Sequence, residues 1–279
     1  MSEAEVIKNT VDGPITKESI EEDLHAIGVK PGMVLLTHST LSKMGWVSGG
    51  PVAVILALEE VLGSEGTLVM PTHSGDLSDP EEWSNPPVPQ EWKEVIRQTM
   101  PAFDPVITPT RGMGRIVETF RVQQDVIRSD HPHMSFAAHG KFASEIIDNH
   151  SLDFALGDES PLARVYDLEG WILLIGVEHD NNTSLHLAEH RAEFEGKKEI
   201  KQGAPILVEG KRQWVKIRDW EEHSEHFIEL GKAYRKAGGT LLEGKIGMAD
   251  ALLIPQRELV DFGVQWMSEN VKNQEESAK

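Results

Sequence analysis

Titratable side chains are concentrated in one stretch, WILLIGVEHDNNTSLHLAEHRAEF, which spans residues 171–194. The apolar run at 172–177 predicts a buried strand, and polar residues follow it directly. His179, His186 and Glu189 then come at spacings typical of a helix and the turn before it. A buried strand that leads into a helix rich in titratable groups is a common way to build an active site.

Either Thr183 or Ser184 can cap a helix that runs to about residue 194. His186 then lies in the first helical turn, where the helix dipole opposes protonation. A neutral imidazole can act as a general base, and Glu189 lies on the same helix face, where it can orient the ring. His179 is a second candidate with a less defined position. The alternative is that these histidines are hydrogen-bonded structural residues.

The same segment carries a possible metal motif. His186, Glu189 and His190 match the H-x-x-E-H pattern of inverted zinc proteases, in which the two histidines share a metal and the glutamate acts as the base. The sequence shows no third ligand downstream, and five-residue patterns also arise by chance. A zinc hydrolase therefore stays as an alternative, while our main prediction contains no metal.

Composition limits the classes of function. The chain has 279 residues, 39% of them hydrophobic, no cysteine and a formal net charge of −19. The absence of cysteine excludes disulfides and a cysteine nucleophile, and the acidity argues against nucleic-acid binding. No apolar run is long enough to span a membrane, and the N-terminus has no signal-peptide pattern. We therefore expect a cytoplasmic protein whose partner is a small molecule.

The elements that must position these side chains begin with a β–α–β pattern. Residues 33–37 and 67–70 are predicted buried strands, and the helix between them begins at Pro51, a favoured first position. A right-handed crossover would make the two strands parallel. Thr16 is predicted to cap an earlier helix.

The remaining stretches are less regular. We predict a flap or surface insertion over 76–103, a β-hairpin insertion over 205–217 and a helix over 219–237. Polar tails are expected at 1–12 and 269–279. No internal repeat or linker is evident, so the chain is predicted to be a single domain over 1–279.

Two glycine-containing turns suit phosphate. HSTLSKMGWVSGG (38–50) follows a strand and precedes a helix, and TRGMGR (110–115) opens another helix and adds Arg111 and Arg115. Backbone N–H groups and helix N-termini bind phosphate without many basic side chains. Neither turn matches a nucleoside-triphosphate or dinucleotide fingerprint. Two such turns fit a long, polyphosphorylated cofactor, and two purely structural turns are the alternative.

Three segments carry a family resemblance. HSTLSKMGWVSGGPVAVILALEEVLGSEGTLVMPTHS (38–74), SDHPHMSFAAHG (129–140) and GVEHDNNTSLHLAEHRAEF (176–194) resemble the aminoglycoside N3-acetyltransferase family, in its YokD-type branch. This acetyl-CoA-dependent antibiotic N-acetyltransferase family is distinct from the GNAT acetyltransferases. The resemblance extends over about residues 15–267.

The resemblance implies a three-layer α/β/α fold with a mixed central sheet. It also implies acetyl-CoA as donor and an amine acceptor, the 3-amino group of a 2-deoxystreptamine aminoglycoside. The chain would then belong to the antibiotic-resistance acyltransferases. By the same resemblance, the implied CoA-binding residues are Ser39, Thr40, Leu41, Ser42, Trp46, Val47, Thr110, Arg111, Gly112 and Met113. His186 matches the family's catalytic histidine and Glu189 its acid, while Asp76, Glu221 and Glu222 lie where the family places acidic substrate contacts.

These expectations define a direct mechanism. His186 would remove a proton from the amine while both substrates are bound, so no enzyme nucleophile is needed. Thr72 and Ser74, or backbone N–H groups of the first loop, are alternative donors to the oxyanion. A non-catalytic CoA-binding homologue stays open as an alternative function, and a homodimer as an oligomeric state.

Overall fold

The structure is a computed structural model of the chain, and it describes residues 3–11 and 13–271. Within these residues the strands are β1 (Val34–Ser39), β2 (Thr67–Pro71), β3 (Ile127–Arg128), β4 (Phe136–Gly140), β5 (Trp171–Ile175), β6 (Glu199–Val208), β7 (Lys211–Trp220), β8 (Leu242–Ile246) and β9 (Ala249–Pro255). The α-helices are α1 (Glu3–Asn9), α2 (Lys17–Ile27), α3 (Pro51–Leu62), α4 (Gln90–Thr99), α5 (Gly114–Phe120), α6 (Ala143–Ile147), α7 (Pro161–Asp167), α8 (Ser184–Arg191), α9 (Phe227–Lys236) and α10 (Gln256–Asn270).

A seven-stranded mixed sheet has the order β3–β4–β2–β1–β5–β9–β8. Its three central neighbours, β2, β1 and β5, are parallel, while β4 and β9 pair antiparallel with β2 and β5. The central strands are almost entirely buried, as continuous apolar runs require when helices cover both faces of a sheet. Their carboxyl ends consequently lie together at one end of the sheet.

Helices cover both faces of this sheet. On one face α2, α3 and α5 pack Leu24, Leu58 and Phe120 into one apolar cluster. On the other face α6 to α10 form a second cluster, which includes Leu185 and Leu259. The predicted three-layer α/β/α architecture with a mixed sheet and a hairpin insertion is confirmed.

Local sequence explains how α2 and α3 begin and end. Thr16 Oγ1 accepts a hydrogen bond from Ser19 N at 3.2 Å, and Thr16 N donates to Ser19 Oγ at 3.0 Å, which forms a reciprocal capping box. Gly28 ends α2 with a φ of 108°, a left-handed conformation that favours glycine. Pro51 is the first residue of α3, as predicted.

The hairpin is longer than the sequence predicted, because β6 and β7 pair continuously from Glu199↔Trp220 to Val208↔Lys211. Glu209 and Gly210 form its turn with φ values of 50° and 72°, which matches the right-handed twist of the strands. This pairing includes two residues that we assigned to a helix over 219–237. That helix, α9, begins only at residue 227, so cross-strand pairing outweighs local helix propensity here.

Two other segments are more regular than predicted. The N-terminal residues form α1 instead of a frayed tail, and the insertion at 76–103 contains α4. Arg97 of α4 donates to Asp79 from Nη2 at 2.7 Å and ties that helix to the start of the insertion. At the other terminus α10 continues to Asn270, and the predicted polar tail beyond 271 lies outside the described residues.

None of the helices within residues 3–11 and 13–271 is long and apolar enough to cross a membrane. The longest of them, α10, has 15 residues and carries charged side chains. A membrane-spanning helix needs about 20 predominantly apolar residues.

Candidate active site

A cavity of about 700 Å³ opens where β1, β2 and β5 end. The chain places β2 on one side of β1 and β5 on the other, and such a reversal leaves a crevice at the carboxyl ends of parallel strands. Most of its lining comes from residues within 3–6, 37–50, 71–73, 112–117, 177–186 and 222–224.

The first glycine-rich loop forms one wall, and all six of its residues implied by the resemblance line the cavity: Ser39, Thr40, Leu41, Ser42, Trp46 and Val47. A short 3-10 helix at Leu41–Lys43 bends the loop. Gly45 has a φ of 90°, and a Cβ there would lie 3.0 Å from the Met248 sulfur. The left-handed conformation favours glycine at this position, and a Cβ would also require the Met248 side chain to shift.

The second glycine-containing turn supplies only part of the implied wall. Gly112 and Met113 line the cavity, but Thr110 does not. Thr110 instead donates from its backbone N at 3.1 Å and from Oγ1 at 2.6 Å to Glu118 Oε2. Its role is thus to hold the turn against α5.

Arg111 and Asp76 pair with each other outside the cavity lining. Arg111 Nη1 donates to Asp76 Oδ1 at 2.6 Å, and the two side chains are 60% and 58% exposed. The resemblance had assigned Arg111 to the cofactor and Asp76 to the substrate, and the structure brings neither side chain to the cavity. Arg115, four residues further along the chain, lines the cavity instead.

The helix α1 contributes to the cavity, and the sequence did not predict it. Glu3 and Val6 are lining residues. Trp46 Nε1 donates to Glu3 Oε1 at 3.3 Å, and Trp46 N donates to Thr10 Oγ1 at 2.7 Å. The helix has no buried residue, so no apolar periodicity could have indicated this contact.

The stretch that follows β5 forms another part of the cavity wall. Asn182 Oδ1 accepts from Ser184 N at 3.2 Å, so Asn182 provides the side-chain cap of α8. Thr183 occupies the N-cap position, one of the two predicted, but it has a helical φ of −56° and its side chain makes no capping hydrogen bond. His186 is the third residue of α8 and lines the cavity.

A buried carboxylate holds the imidazole of His186. Glu189 is 1% exposed, and its Oε2 lies 2.8 Å from His186 Nδ1. Its Oε1 accepts from His223 N at 2.7 Å and lies 3.0 Å from His223 Nδ1. Because an ionised carboxylate only accepts hydrogen bonds, Nδ1 of His186 carries a proton, and in the neutral ring Nε2 is left to accept one.

The charges around this pair favour ionisation of both groups. Burial raises the pKa of Glu189, but the hydrogen bonds from His186 and His223 outweigh it and lower that pKa below 4.5. Burial likewise lowers the pKa of His186, yet the hydrogen bond to Glu189 and the negative charges of Glu222, Glu189 and Asp219 raise it above 6.5. The nearby carboxylates thus act on this pKa in the direction opposite to the effect expected of the helix dipole.

His179 does not reach the cavity. Its ring packs against α9 at Gly231, where an added Cβ would lie 2.1 Å from His179 Cδ2. Its Nδ1 lies 3.4 Å from Asn182 Nδ2, and burial lowers its pKa to about 4. The structure therefore separates His179 from the catalytic set to which we assigned it.

One of the three acidic residues assigned to the substrate lines the cavity. Glu222 does so, with Oε2 at 4.0 Å from His186 Nε2. Glu221 turns away, because its backbone N donates to Lys198 O at 2.9 Å and its carboxylate lies 3.9 Å from Lys198 Nζ.

The H-x-x-E-H residues face different carboxylates. His190 Nε2 lies 3.5 Å from Asp219 Oδ1, whereas His186 is bound to Glu189. Burial lowers the pKa of His190 to about 4. Within residues 3–11 and 13–271, no group of three or more His, Asp or Glu side chains is arranged to hold a metal ion.

Comparison with known proteins agrees with this geometry. The family model described as aminoglycoside 3-N-acetyltransferase matches residues 36–268. The chain belongs to the aminoglycoside 3-N-acetyltransferase family. It is 50% identical over 258 residues to the SPbeta prophage-derived aminoglycoside N(3′)-acetyltransferase-like protein YokD of Bacillus subtilis, covering 92% of this chain and 94% of that protein. It is 36% identical to aminoglycoside N(3)-acetyltransferase VII of Streptomyces paromomycinus, covering 97% of each.

Solved structures give the same result. The crystal structure of YokD from Bacillus subtilis has a TM-score of 0.93 and 46% identity, and the alignment covers 99% of both chains. The structure of AAC-IIIb with CoASH has a TM-score of 0.82 and 28% identity, covering 94% of this chain and 99% of that one. The family predicted from the sequence, a family of acetyl-CoA-dependent acetyltransferases, is confirmed.

In this family member the side chains suggested as oxyanion donors are not accessible. Thr72 and Ser74 are fully buried. Thr72 Oγ1 accepts from Arg128 Nε at 3.1 Å and lies 3.0 Å from Ser135 Oγ, while Ser74 Oγ donates to Pro132 O at 2.8 Å. Of the alternatives considered, only the backbone N–H groups of the first loop lie at the cavity.

Two further histidines line the cavity and were not predicted. His38 is the next-to-last residue of β1 and His73 lies two residues beyond β2, and burial lowers the pKa of each to about 3, with the positive charge of His186 adding to the effect. Neither Nε2 atom has a hydrogen-bond partner among the described residues. Their place at the carboxyl ends of neighbouring parallel strands is a signal that could have identified them.

Proposed function

We propose that this chain transfers the acetyl group of acetyl-CoA directly to an amine, with the 3-amino group of a 2-deoxystreptamine aminoglycoside as acceptor. The observation that carries this proposal is the imidazole of His186, which Glu189 holds at 2.8 Å in the cavity wall with Nε2 beside Glu222. The relatives support the choice of acceptor, because one is an aminoglycoside N(3)-acetyltransferase and another is an aminoglycoside N(3′)-acetyltransferase-like protein.

In the proposed step His186 is the general base. Its Nε2 takes a proton from the amine as the amine nitrogen attacks the thioester carbonyl carbon. This attack forms the C–N bond, and collapse of the tetrahedral intermediate re-forms the carbonyl and breaks the C–S bond. The CoA thiolate then receives the proton from the imidazolium, so atoms and charge balance. The ionised carboxylate of Glu189 stabilises the imidazolium while it exists.

A direct reaction fits the composition, because the chain has no cysteine to carry an acetyl thioester. Donor and acceptor would bind together, and their mutual orientation would lower the activation barrier by on the order of 7 kcal/mol or more. The first loop and the Gly112–Met113 wall would hold the donor.

The acceptor would approach from the side of Glu222. This carboxylate is 43% exposed in the cavity and lies 4.0 Å from the proposed base. An ammonium-rich acceptor gains attraction from such a group without burying it completely. The overall charge of −19 adds a weaker, long-range attraction.

A thiol-release assay with acetyl-CoA, across aminoglycosides and simple amines, tests the proposal. We expect His186→Ala to lower turnover by about 100-fold or more while CoA binding, measured by titration calorimetry, is retained. His139→Ala is a matched control, because His139 Nδ1 also contacts a carboxylate, Glu59 Oε1 at 3.0 Å, but does not line the cavity.

Each contrary result removes a different part of the proposal. Wild-type turnover in His186→Ala would eliminate the general base. CoA binding without acetylation of any amine would favour a non-catalytic homologue. No heat on titration with CoA would eliminate the donor. Activity that a chelator abolishes, with stoichiometric zinc, would favour the hydrolase alternative.

A further inference from the structure

The buried carboxylate of Glu189 has two imidazole partners, and only one of them has a part in the proposed reaction. Its Oε2 lies 2.8 Å from Nδ1 of His186, the proposed base. Its Oε1 accepts from the backbone N of His223 at 2.7 Å and lies 3.0 Å from Nδ1 of the same residue. An ionised carboxylate only accepts hydrogen bonds, so this Nδ1 donates as well. One residue, 34 positions away in the sequence, thus supplies two donors to a single oxygen.

The contacts of His223 fix a torsion that the helix leaves free. The last torsion of a glutamate side chain has a broad distribution, so the backbone of α8 does not determine where each carboxylate oxygen points. Two hydrogen bonds to Oε1 of Glu189 remove this freedom and thereby hold Oε2 against Nδ1 of His186. Glu189 is 1% exposed, so solvent cannot replace either donor if it is lost.

The ring of His223 is itself held by packing. Phe194 meets it edge-on, with the ring centroids 5.5 Å apart and an interplanar angle of 86°. The ring of His186 has a similar aromatic neighbour, Phe227, at 4.8 Å and 66°. Each of the two imidazoles therefore has an aromatic ring packed beside it, and the carboxylate of Glu189 lies between them.

The neighbours of His223 connect this carboxylate to the cavity. Glu222 and Ser224 line the cavity, whereas His223 does not. Glu222 Oε2 lies 4.0 Å from Nε2 of His186, the nitrogen that takes the proton in the proposed step. Glu222 is thus close to the reacting nitrogen of the imidazole, while the next residue holds the carboxylate at its other nitrogen. The hydrogen bonds of His223 therefore tie the cavity wall at 222–224 to the group that holds the base.

We propose that His223 is a positioning residue for acetyl transfer, which keeps the Glu189 carboxylate directed at His186 and the wall at 222–224 beside that base. The inference rests on the proposed function for the role of His186. Because His223 does not line the cavity, it is assigned no contact with either substrate. Partners that orient the ligands of a metal in the same way change affinity or activity by about 10- to 100-fold when they are removed, which sets the scale expected here.

The test compares His223→Leu, which has no side-chain donor, with His223→Asn, whose amide can donate from the place of Nδ1. In the thiol-release assay with acetyl-CoA we expect kcat to fall by about 10-fold in His223→Leu and by about 2-fold or less in His223→Asn. The KM of the acceptor should rise by about 2- to 5-fold in His223→Leu, because Glu222 is no longer fixed. The affinity for CoA should not change, since the first loop and the Gly112–Met113 wall do not include this segment.

His226→Leu is the matched control. His226 lies three residues further along the chain, and its side chain is 21% exposed, compared with 20% for His223. Its Nε2 also lies near a carboxylate, Glu225 Oε1 at 3.8 Å, but it does not line the cavity. We expect this variant to have the kcat and KM of the wild type. Cooperative thermal unfolding above the assay temperature checks that all three variants are folded.

The pKa of His186 provides a readout that does not depend on turnover. NMR of protein labelled at its 12 histidines follows each imidazole with pH, and the signal that is lost in His186→Ala identifies His186. In His223→Leu the backbone N–H still binds Oε1 of Glu189, but less of the carboxylate charge is compensated. We therefore expect the pKa of His186 to rise in that variant and to keep its wild-type value in His223→Asn. The other titratable groups that interact with His186 are unchanged in both variants, and they are Glu222, Asp219, His38, His73 and His190.

Wild-type kinetics together with a wild-type pKa of His186 in folded His223→Leu would overturn the proposal. Equal changes in His223→Leu and His223→Asn would also overturn it, since the shape of the ring and not its hydrogen bond would then matter. A change in kcat or in this pKa that asparagine reverses supports it, and a fall in the pKa would mean that the unheld carboxylate turns away from the base. A wild-type protein that acetylates no amine would instead remove the proposed function, and the NMR comparison would still decide whether His223 holds Glu189 against His186.

Discussion

His186 and His179 come from the same stretch of sequence, only seven residues apart, and both are largely buried. The pKa of His186 lies above its ordinary value, and that of His179 falls to about 4. In each case burial is the largest single influence and favours the neutral ring. His186 differs because Glu189 accepts a hydrogen bond from its Nδ1 at 2.8 Å.

The difference shows that partners distant in sequence decide what a histidine does. His186 is held by Glu189, which is itself fixed by His223 from the segment after the hairpin. His179 meets Gly231 of α9, where the missing side chain provides the space for its ring. One histidine has become a candidate base and the other a packing residue, although helical spacing alone treats them alike.

Removal of the buried carboxylate should have the largest effect. Glu189→Gln takes away the negative charge that stabilises the imidazolium, and we expect turnover to fall by about 100-fold or more. The same change should lower the pKa of His186, because burial then prevails. A base works when it is neutral, so activity rises as pH passes above that pKa, and the acid limb of the pH–rate profile should move to lower pH.

Glu193→Gln is the matched control for charge, since this exposed residue lies four positions further along the same stretch. It should leave both the plateau rate and the acid limb unchanged. An acid limb that stays in place in Glu189→Gln would contradict the assignment of that limb to His186.

Filling the space beside the second histidine should act on stability alone. In Gly231→Ala the new Cβ would lie 2.1 Å from His179 Cδ2, and neither α9 nor the ring can move freely. We expect the free energy of unfolding, measured in urea, to fall by about 1 to 3 kcal/mol, even though alanine is the better helix former. Turnover per folded molecule should not change.

The double variant sharpens this prediction. His179→Ala removes the clash, so Gly231→Ala should be neutral or stabilising in that background, and the two substitutions should be strongly non-additive. Additive effects would mean that Gly231 is needed for another reason. A loss of turnover in folded His179→Ala would return His179 to the catalytic set.

Much of the fold could be predicted from local sequence. Pro51 and the apolar run at 67–70 indicate a helix followed by a buried strand, and Thr16 and Gly28 mark both ends of α2. The predictions of the hairpin's length and of the start of α9 were wrong, because both depend on pairing between strands. The hairpin pairing extends to Glu199↔Trp220, so residues 219 and 220 belong to β7 and not to a helix, and no local pattern contains that register.

The candidate site likewise has one part that local sequence specifies and another that depends on contacts between distant residues. His186 and Glu189 meet because they are three residues apart on one helix, which a sequence specifies completely. Arg111 and Asp76, in contrast, are 35 residues apart and neutralise each other away from the cavity. Arg115 lines the cavity and Arg111 does not. The sequence could not distinguish them, because the two arginines are only four residues apart and the ion pair with Asp76 is not visible in it.

Glu221 and Glu222 allow the smallest and most specific test of how partners determine function. Their side chains are similarly exposed, at 50% and 43%, but Glu221 faces Lys198 and Glu222 faces His186. We expect Glu222→Gln to raise the KM of a polycationic acceptor by about 2- to 5-fold, because a partly exposed ion pair contributes at most about 1 kcal/mol. The acid limb of the pH–rate profile should also move slightly to lower pH, since one charge that raises the pKa of His186 is lost.

Glu221→Gln should leave the KM of both substrates unchanged, and neither variant should alter CoA binding. Equal effects of the two substitutions would mean that the acceptor responds to the general acidity of the surface. An effect confined to Glu222→Gln would instead require a contact within the cavity. The two variants have the same net charge and differ only in which carboxylate is removed, the one in the cavity or the one beside Lys198.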